Sequence, residues 1–284
     1  MKKIILRNAI LMFSLGVFSA TAYAQKIEMP ASSPLQTMTQ KFGLGEVTIE
    51  YSRPAAKGRT VFGDVVPYDK VWRTGANATT KITFTDAVKV EGKDVQAGTY
   101  GLYTIPHNDG SCEVMLYSDL KLGGNVKEYS EKNEVLRVKV KAAKMPIKIE
   151  SFTILLDNVQ ASSANLILAW ENTSIAVKLT TDVDTRVMES IDANIKSKTP
   201  EYFRAASYYF ENGKDLSKAS DWAGKAVAQN PKAYYMMLLK AKIEYALGNN
   251  SAGKATAEQT IKLADEAGND DYVRMAKELI EKNK

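Results

Sequence analysis

Hydrophobic and polar residues alternate through the first half of the chain, as a β-strand with one buried face requires. From Val47 to about Leu179, short segments either alternate or are rich in branched and aromatic residues, and turn-forming residues separate them. Asp109-Gly110, for example, suits the tight turn of a hairpin. Several short strands at this spacing predict an all-β antiparallel sandwich or barrel.

Beyond Thr181 the hydrophobic period becomes helical. Apolar residues first recur every four positions, at Val183, Val187, Ile191 and Ile195. Five further helical segments follow, separated by breaks that contain glycine or asparagine. Short antiparallel helices joined by tight turns predict an all-α domain of helical hairpins. We therefore expect a β-domain over residues 25–183 and a helical domain over residues 184–284.

The helical part resembles tetratricopeptide repeats. Residues that match the large and small packing positions of one repeat are Phe203, Ala206, Phe210, Ala219, Ala226 and Pro231. A second unit matches at Ala241, Tyr245 and Gly248-Asn249, although Gly253 stands where the repeat has alanine. Self-standing arrays need about three repeats. The tail is therefore expected to lean on the β-domain or on a protein partner, and a plain helical bundle is the alternative.

The N-terminal residues have the pattern of a secretory signal peptide. A basic start (Lys2, Lys3, Arg7) precedes the apolar run Ala9–Phe18, and Ala22-Tyr23-Ala24 offers a cleavage site. The apolar run is too short for a comfortable membrane span, and an uncleaved anchor is the alternative. We therefore expect residues 1–24 to be removed, no membrane span in the mature chain, and a periplasmic or secreted location.

Composition excludes several classes of site. The formal net charge is +5, and loss of the three basic residues of the signal lowers it by three, to +2. No basic stripe is present, so nucleic acid is not an expected partner. The chain has one cysteine and one histidine, which excludes an intramolecular disulfide and a His- or Cys-rich zinc site. No phosphate loop or dinucleotide fingerprint is present, and no cofactor is expected.

The isolated polar groups have simple expected roles. His107 lies in a turn without a nucleophile motif, so we expect an exposed turn residue. Cys112 lies in an alternating strand and is expected to be a small core or face residue rather than a reactive thiol. Oxygen ligands around Asp109, or in the stretch 268–271, could hold a hard cation, but both stretches are more typical of turns and helix caps. No metal site is predicted.

The segment Tyr51–Thr80 suits a surface site better than a core. It contains three arginines, two tyrosines and a tryptophan, with little periodicity. Arginine recognises carboxylate or phosphate with a planar fork, and aromatic rings offer flat faces to a sugar or another ring. We predict that one face at an end of the sandwich gathers the ligand-binding residues Arg53, Arg59, Tyr68, Trp72, Arg73 and Asn77. The alternative is structural, with Trp72 buried and the arginines bonded to loop carbonyls or acids.

Long stretches of the β-domain resemble one family. They include VTIEYSRPAAKGRTVFGDVVPYDKVWRTGANATTKITF, AGTYGLYTIP, VLRVKVK and LILAWENTSIAVKL. These stretches resemble domain-of-unknown-function family 2911, a group of exported bacterial proteins that often carry a repeat-helix tail. The resemblance covers most of residues 27–180. It implies an all-β domain and assigns no catalytic residue.

These observations predict an exported, non-catalytic binding module of the cell envelope. The β-domain would bind a small anionic or sugar-like (carbohydrate) ligand, and the helical tail would dock a protein. One rival is a hydrolase of an envelope polymer, with Tyr68, Arg73 and either Asp64 or Asp69 as acid–base groups. The other rival is a purely structural protein. An open cleft lined by Arg73 and Trp72 favours binding, and a tyrosine–carboxylate pair inside it favours hydrolysis.

We predict that the mature protein begins at Gln25, because the small-x-small site ends at Ala24. Mass spectrometry of the protein purified from its native host measures this start. Recovery of the chain from the cytoplasm with Met1 retained would contradict the prediction.

Overall fold

The structure is a computed structural model that describes residues 28–284. The predicted signal peptide, residues 1–24, lies outside the described residues. Within the described range, nine β-strands are followed by six α-helices. This order confirms the predicted all-β domain with an all-α tail.

The strands form one antiparallel sheet. They are β1 (Leu35–Phe42), β2 (Gly45–Ser52), β3 (Ala76–Phe84), β4 (Val88–Val90), β5 (Lys93–Val95), β6 (Gly98–Pro106), β7 (Ser111–Tyr117), β8 (Glu134–Asp157) and β9 (Ser163–Thr180). Hydrogen bonds join them in the order β1-β2-β3-β6-β7-β8-β9-β4-β5. Two short 3-10 helices, Val126–Glu128 and Glu131–Asn133, precede β8.

The long strand β8 pairs with two different strands of this sheet. Its first part, up to Lys141, pairs with β7, and its second part, from Ala142, pairs with β9. The pairing with β9 is interrupted between Lys144 and Ile149, where Pro146 lacks the N–H that a ladder requires. The chain after β2 then bonds to the second part of β8, through Phe152 N–H to Pro54 O at 2.8 Å. The sheet therefore curls back on itself around one core.

The core of the β-domain follows from the alternation. In β2, Val47, Ile49 and Tyr51 are buried, whereas the residues between them are partly exposed. Phe152 and Trp170, on β8 and β9, are also buried, and Tyr51 meets Phe152 edge to face at a centroid distance of 5.8 Å. Burial of each such large side chain contributes about 1.5–3 kcal/mol, so the aromatic part of this core stabilises the sheet substantially.

The helices form the C-terminal part of the chain. They are α1 (Asp184–Ile195), α2 (Tyr202–Glu211), α3 (Leu216–Gln229), α4 (Tyr234–Ala246), α5 (Asn250–Glu266) and α6 (Asp270–Lys282). Small residues allow the close approach of α2 and α3, where Ala206 and Ala219 are completely buried. The assignment to tetratricopeptide repeats stays a prediction. No helix in the described range combines the length and the apolar character that a membrane crossing needs.

Side-chain caps fix several helix starts. Asp215 accepts the backbone N–H groups of Ser217 and Lys218 at the start of α3, and Asn269 accepts the N–H of Tyr272 at the start of α6. These bonds satisfy donors that a helix start otherwise leaves unpaired. Asn269 thus has the cap role that the sequence suggested for the stretch 268–271. No cluster of three or more metal-ligating side chains occurs among residues 28–284.

The chain divides into two compact units. One contains residues 28–41, Gly45–Asn158 and Ala164–Leu179; the other contains Phe42–Leu44, Val159–Ser163 and Thr180–Lys284. The helical unit therefore includes two short pieces from the loops of the β-half. One of its contacts is the hydrogen bond from Thr181 N–H to Ser162 O at 2.9 Å.

We predict that a fragment of residues 25–184 folds alone, whereas a fragment of residues 185–284 is only weakly stable. The tail has fewer than three clear repeats, and the fragment lacks the loop pieces of its own unit. Circular dichroism and thermal melting of both fragments measure this. A tail fragment that melts cooperatively at the temperature of the whole protein would contradict the prediction.

Candidate functional site

The segment between β2 and β3 forms walls of two clefts in the β-domain. Backbone bonds hold it against the sheet at both ends. Near its start, Ala56 N–H donates to Glu150 O at 2.9 Å. Near its end, Trp72 and Thr104 exchange both backbone hydrogen bonds, at 2.8 and 2.9 Å. Side chains of this segment are therefore presented from a fixed backbone.

Two stacked tryptophans line both clefts. The rings of Trp72 and Trp170 have centroids 5.8 Å apart and an interplanar angle of 22°, and Phe152 packs edge-on against Trp72 at 4.9 Å. The indole N–H of Trp72 donates to Gly75 O at 3.2 Å, and that of Trp170 donates to Glu150 O at 3.1 Å. Since both indole N–H groups are hydrogen-bonded, this pair presents only its ring surfaces to the clefts.

The first cleft, which we call the cationic cleft, has a volume of about 500 Å³. Its walls include Lys57, Arg59, Arg73 and the two tryptophans. None of the described residues that line it carries a carboxylate. Its electrostatic character is therefore positive.

Arg73 is the cation of this cleft that has a buried, unpaired donor. Its Nη1 donates to Gly124 O at a long 3.4 Å, and its Nε is buried without an acceptor among the described residues. The guanidinium lies directly against Gly124, where a Cβ would collide with Nη1. Only glycine at position 124 leaves room for this placement. Arg73 thus brings a charged group with unused donors to the cleft.

Arg59 and Lys57 have different surroundings. Arg59 uses Nε and Nη2 on the carbonyls of Ala56 and Ala55, at 3.0 and 2.9 Å. Lys57 adopts a positive φ of 51°, and its backbone N–H donates to a carboxylate oxygen of Glu150 at 2.7 Å. Arg59 therefore braces its own loop while adding charge to the cleft. Lys57 was not among the residues predicted from the sequence.

Two of the six predicted site residues line neither cleft. Arg53 donates to Phe152 O at 3.1 Å and to Thr153 Oγ1 at 2.8 Å. Asn77, at a φ of 58°, donates to Ser33 O and to Ser52 Oγ at 3.2 and 3.3 Å. Both side chains tie backbone segments together, as the structural alternative expected of the arginines.

The second cleft, which we call the aromatic cleft, has a volume of about 280 Å³ and mostly apolar walls. Its five aromatic wall residues are Phe62, Tyr68, Trp72, Phe152 and Trp170. The structure therefore brings Arg59, Trp72 and Arg73 together in the cationic cleft, and it places Tyr68 with Trp72 in the aromatic one. The ligand-binding role of the six residues stays a prediction.

The sequence of this domain matches a family model described as Protein of unknown function (DUF2911), over residues 33–179. The chain belongs to the DUF2911 family. The match spans more than half of the 284 residues and confirms the resemblance that the sequence motifs indicated. No curated protein and no solved structure matches the chain. Every residue that lines the aromatic cleft lies inside the DUF2911 match.

His107 lies at the edge of the aromatic cleft of the DUF2911 domain. It occupies the predicted turn between β6 and β7, but it is half-buried rather than exposed, and it is paired. Its Nδ1 lies 2.5 Å from Asp69 Oδ1, and its Nε2 lies 3.1 Å from Glu113 Oε1. Arg137 contacts the other oxygen of Glu113 at 2.5 Å. The hydrogen bond with Asp69, followed by that with Glu113, raises the pKa of His107 above its ordinary value.

Cys112, the lone thiol of the DUF2911 domain, has the predicted structural role. It is buried, and burial raises the pKa of Cys112 to about 12. The thiol therefore stays protonated at neutral pH, and only a thiolate is an effective nucleophile.

We predict that His107→Gln destabilises the DUF2911 domain more at about pH 5.5 than at about pH 8. The folded-state pKa is raised above 6.5, so the protonated ring stabilises the fold below that value. This contribution is lost as the pH rises through the folded-state pKa. Urea denaturation at both pH values measures the difference. The same loss at both values would contradict the charged pairing, and Asn108→Gln, at the adjacent exposed position, is the control.

Proposed function

We propose that this protein is an exported, non-catalytic binding module of the cell envelope, whose cationic cleft binds a small acidic ligand. The observation that carries the proposal is Arg73, whose buried Nε has no acceptor among the described residues. A buried donor left unpaired costs about 1–3 kcal/mol, and more when it is charged. An acidic ligand that binds the guanidinium offsets this cost through charge-assisted hydrogen bonds.

The chemistry of the cleft indicates the ligand class. A guanidinium recognises carboxylate or phosphate through paired, charge-assisted hydrogen bonds. Arg59 and Lys57 add positive charge, and the face of Trp72 offers a platform for a ring. A volume of about 500 Å³ lies within the common range for small-molecule sites. The geometry therefore favours a sugar acid, a sugar phosphate or a similar small anion.

The positions of the acid–base candidates support binding over hydrolysis. Tyr68 and Arg73 line different clefts. Asp69 pairs with His107, and Asp64 is exposed. Proton transfer to a substrate requires groups within hydrogen-bond reach of one another or of the same reacting atom. These candidates are not assembled around one point.

Export and docking complete the proposal. Export to the periplasm or outside the cell rests on the signal-peptide pattern of the first 24 residues. Protein docking by the helical tail is supported by Tyr235 of α4, a partly exposed aromatic residue whose ring meets Phe203 of α2 at 5.2 Å. Exposed aromatic residues are enriched at protein interfaces.

We predict that glucose 6-phosphate and glucuronate raise the melting temperature of the mature protein, whereas neutral glucose does not. Ligand at one hundred times its Kd stabilises the folded state by about 2.7 kcal/mol. Arg73→Lys should weaken binding at least about tenfold, because lysine cannot reproduce the planar fork. Arg204→Gln, which changes an exposed arginine of α2, is the control and should bind as the wild type does.

Two results would overturn the proposal. One is the absence of stabilisation by either acidic sugar or by inorganic phosphate. The other is an Arg73→Lys variant that binds as tightly as the wild type. If Arg73→Lys unfolds the protein and no ligand is found, the role of Arg73 is structural rather than ligand-binding.

A further inference from the structure

The aromatic cleft is separate from the cationic cleft in its chemistry. Phe62 and Tyr68 line only the aromatic cleft, and Arg73 lines only the cationic one. The two clefts share the stacked pair Trp72 and Trp170 as a wall. An inference about the aromatic cleft therefore does not depend on the acidic ligand proposed above.

The outer wall of the aromatic cleft is fixed by hydrogen bonds. Val61 N–H donates to Glu171 Oε2 on β9 at 2.9 Å, and Val66 N–H donates to Val61 O at 2.8 Å. These bonds hold Phe62 between them. Gly63 has a φ of 95°, and a Cβ at this position would lie 2.8 Å from the ring of Tyr68. Glycine at position 63 therefore leaves room for the Tyr68 ring beside the loop.

A second anchor follows Tyr68. The backbone N–H of Asp69 donates to Pro106 O at 2.9 Å, and its side chain pairs with His107 at 2.5 Å. Phe62 and Tyr68 are thus held on both sides before any ligand arrives. A wall that is already ordered loses little conformational entropy on binding.

Several polar groups of the lining are already engaged within the protein. The hydroxyl of Thr104 accepts from Thr74 Oγ1 at 3.1 Å, and Ser111 Oγ donates to Asp109 at 2.5 Å. Both ring nitrogens of His107 face carboxylates. Lys144 also lines the cleft but is exposed, and a charged ligand group that entered among the engaged residues would lose hydration without an equivalent partner. The interior of the cleft therefore favours an uncharged ligand.

We infer that the aromatic cleft is a second binding site, which takes an uncharged planar aromatic group of one or two rings. An apolar cavity of roughly 150 Å³ holds benzene, so a cleft of about 280 Å³ has room for a bicyclic ring. The flat surfaces of Phe62, Tyr68 and Trp72 match such a ring by offset or edge-to-face stacking.

Nuclear magnetic resonance of the mature protein tests this inference through the tryptophan indole N–H signals. The chain has three tryptophans, and two of them, Trp72 and Trp170, line the cleft. Indole is the probe, cyclohexanol is the non-planar control and indole-3-acetate is the charged control. We expect indole to shift the Trp72 and Trp170 signals saturably, with a Kd of about 1 mM or tighter. The signal of Trp222, in the helical unit, should stay in place.

Variants of the wall identify the site. Ala143 is exposed and lines the cleft, so Ala143→Trp should fill it and abolish the shifts. Phe62→Ala should weaken indole binding at least about tenfold through the loss of stacking, and Phe62→Leu, which keeps an apolar side chain, should weaken it less. Ala252→Trp, at an exposed position of α5, should leave indole binding unchanged.

Any of four results would overturn the inference. The first is the absence of a saturable shift with indole, and the second is a shift of the Trp222 signal as large as that of the other two. The third is wild-type binding of indole by Ala143→Trp and by both Phe62 variants. The fourth is tighter binding of cyclohexanol or indole-3-acetate than of indole, which would exclude an uncharged planar group as the preferred ligand.

Discussion

The stacking of Trp72 on Trp170 is the contact on which both clefts depend. It joins the segment between β2 and β3 to strand β9, and Phe152 of β8 closes the same cluster. Because both indole N–H groups bond to backbone carbonyls, the rings are fixed in orientation. Trp170 is buried and Trp72 is partly buried. One side of this cluster faces charged side chains and the other faces aromatic ones. Loss of the Trp72 ring would open both clefts at once, at a cost typical of buried aromatic deletions, about 3–5 kcal/mol.

The alternating pattern predicted the fold class because burial of one face is a local property. Val47 and Ile49 are buried because they occupy the apolar positions of the alternating sequence in β2. The division of β8 between two pairing partners was not predicted. It depends on long-range hydrogen bonds, such as the one from Phe152 N–H to Pro54 O, which produce no periodic pattern in the sequence. Pro146 was the one local sign that the ladder of β8 is interrupted.

Residue chemistry predicted only part of the site, because long-range contacts decide which side chains are free to bind. Arg73 and Trp72 line a cleft. Arg53 has the same chemistry as Arg73, but its donors are hydrogen-bonded to Phe152 O and Thr153. Those acceptors are about one hundred residues away along the chain, so the sequence alone could not separate a brace from a binding group. Trp170 was missed because it lies in an ordinary strand pattern. Its role comes only from its contact with Trp72.

The central claim is that Arg73 holds unused hydrogen-bond donors for an anion while other arginines are already bonded. Resonances of the arginine Nε–H groups, followed during titration with glucose 6-phosphate, test it most directly. The Nε group of Arg53 donates to Phe152 O, and Arg53 lines neither cleft, so it is the internal reference. The account predicts a saturable shift of the Arg73 signal and little change in the Arg53 signal. A static Arg73 signal, or equal shifts of both, would contradict it.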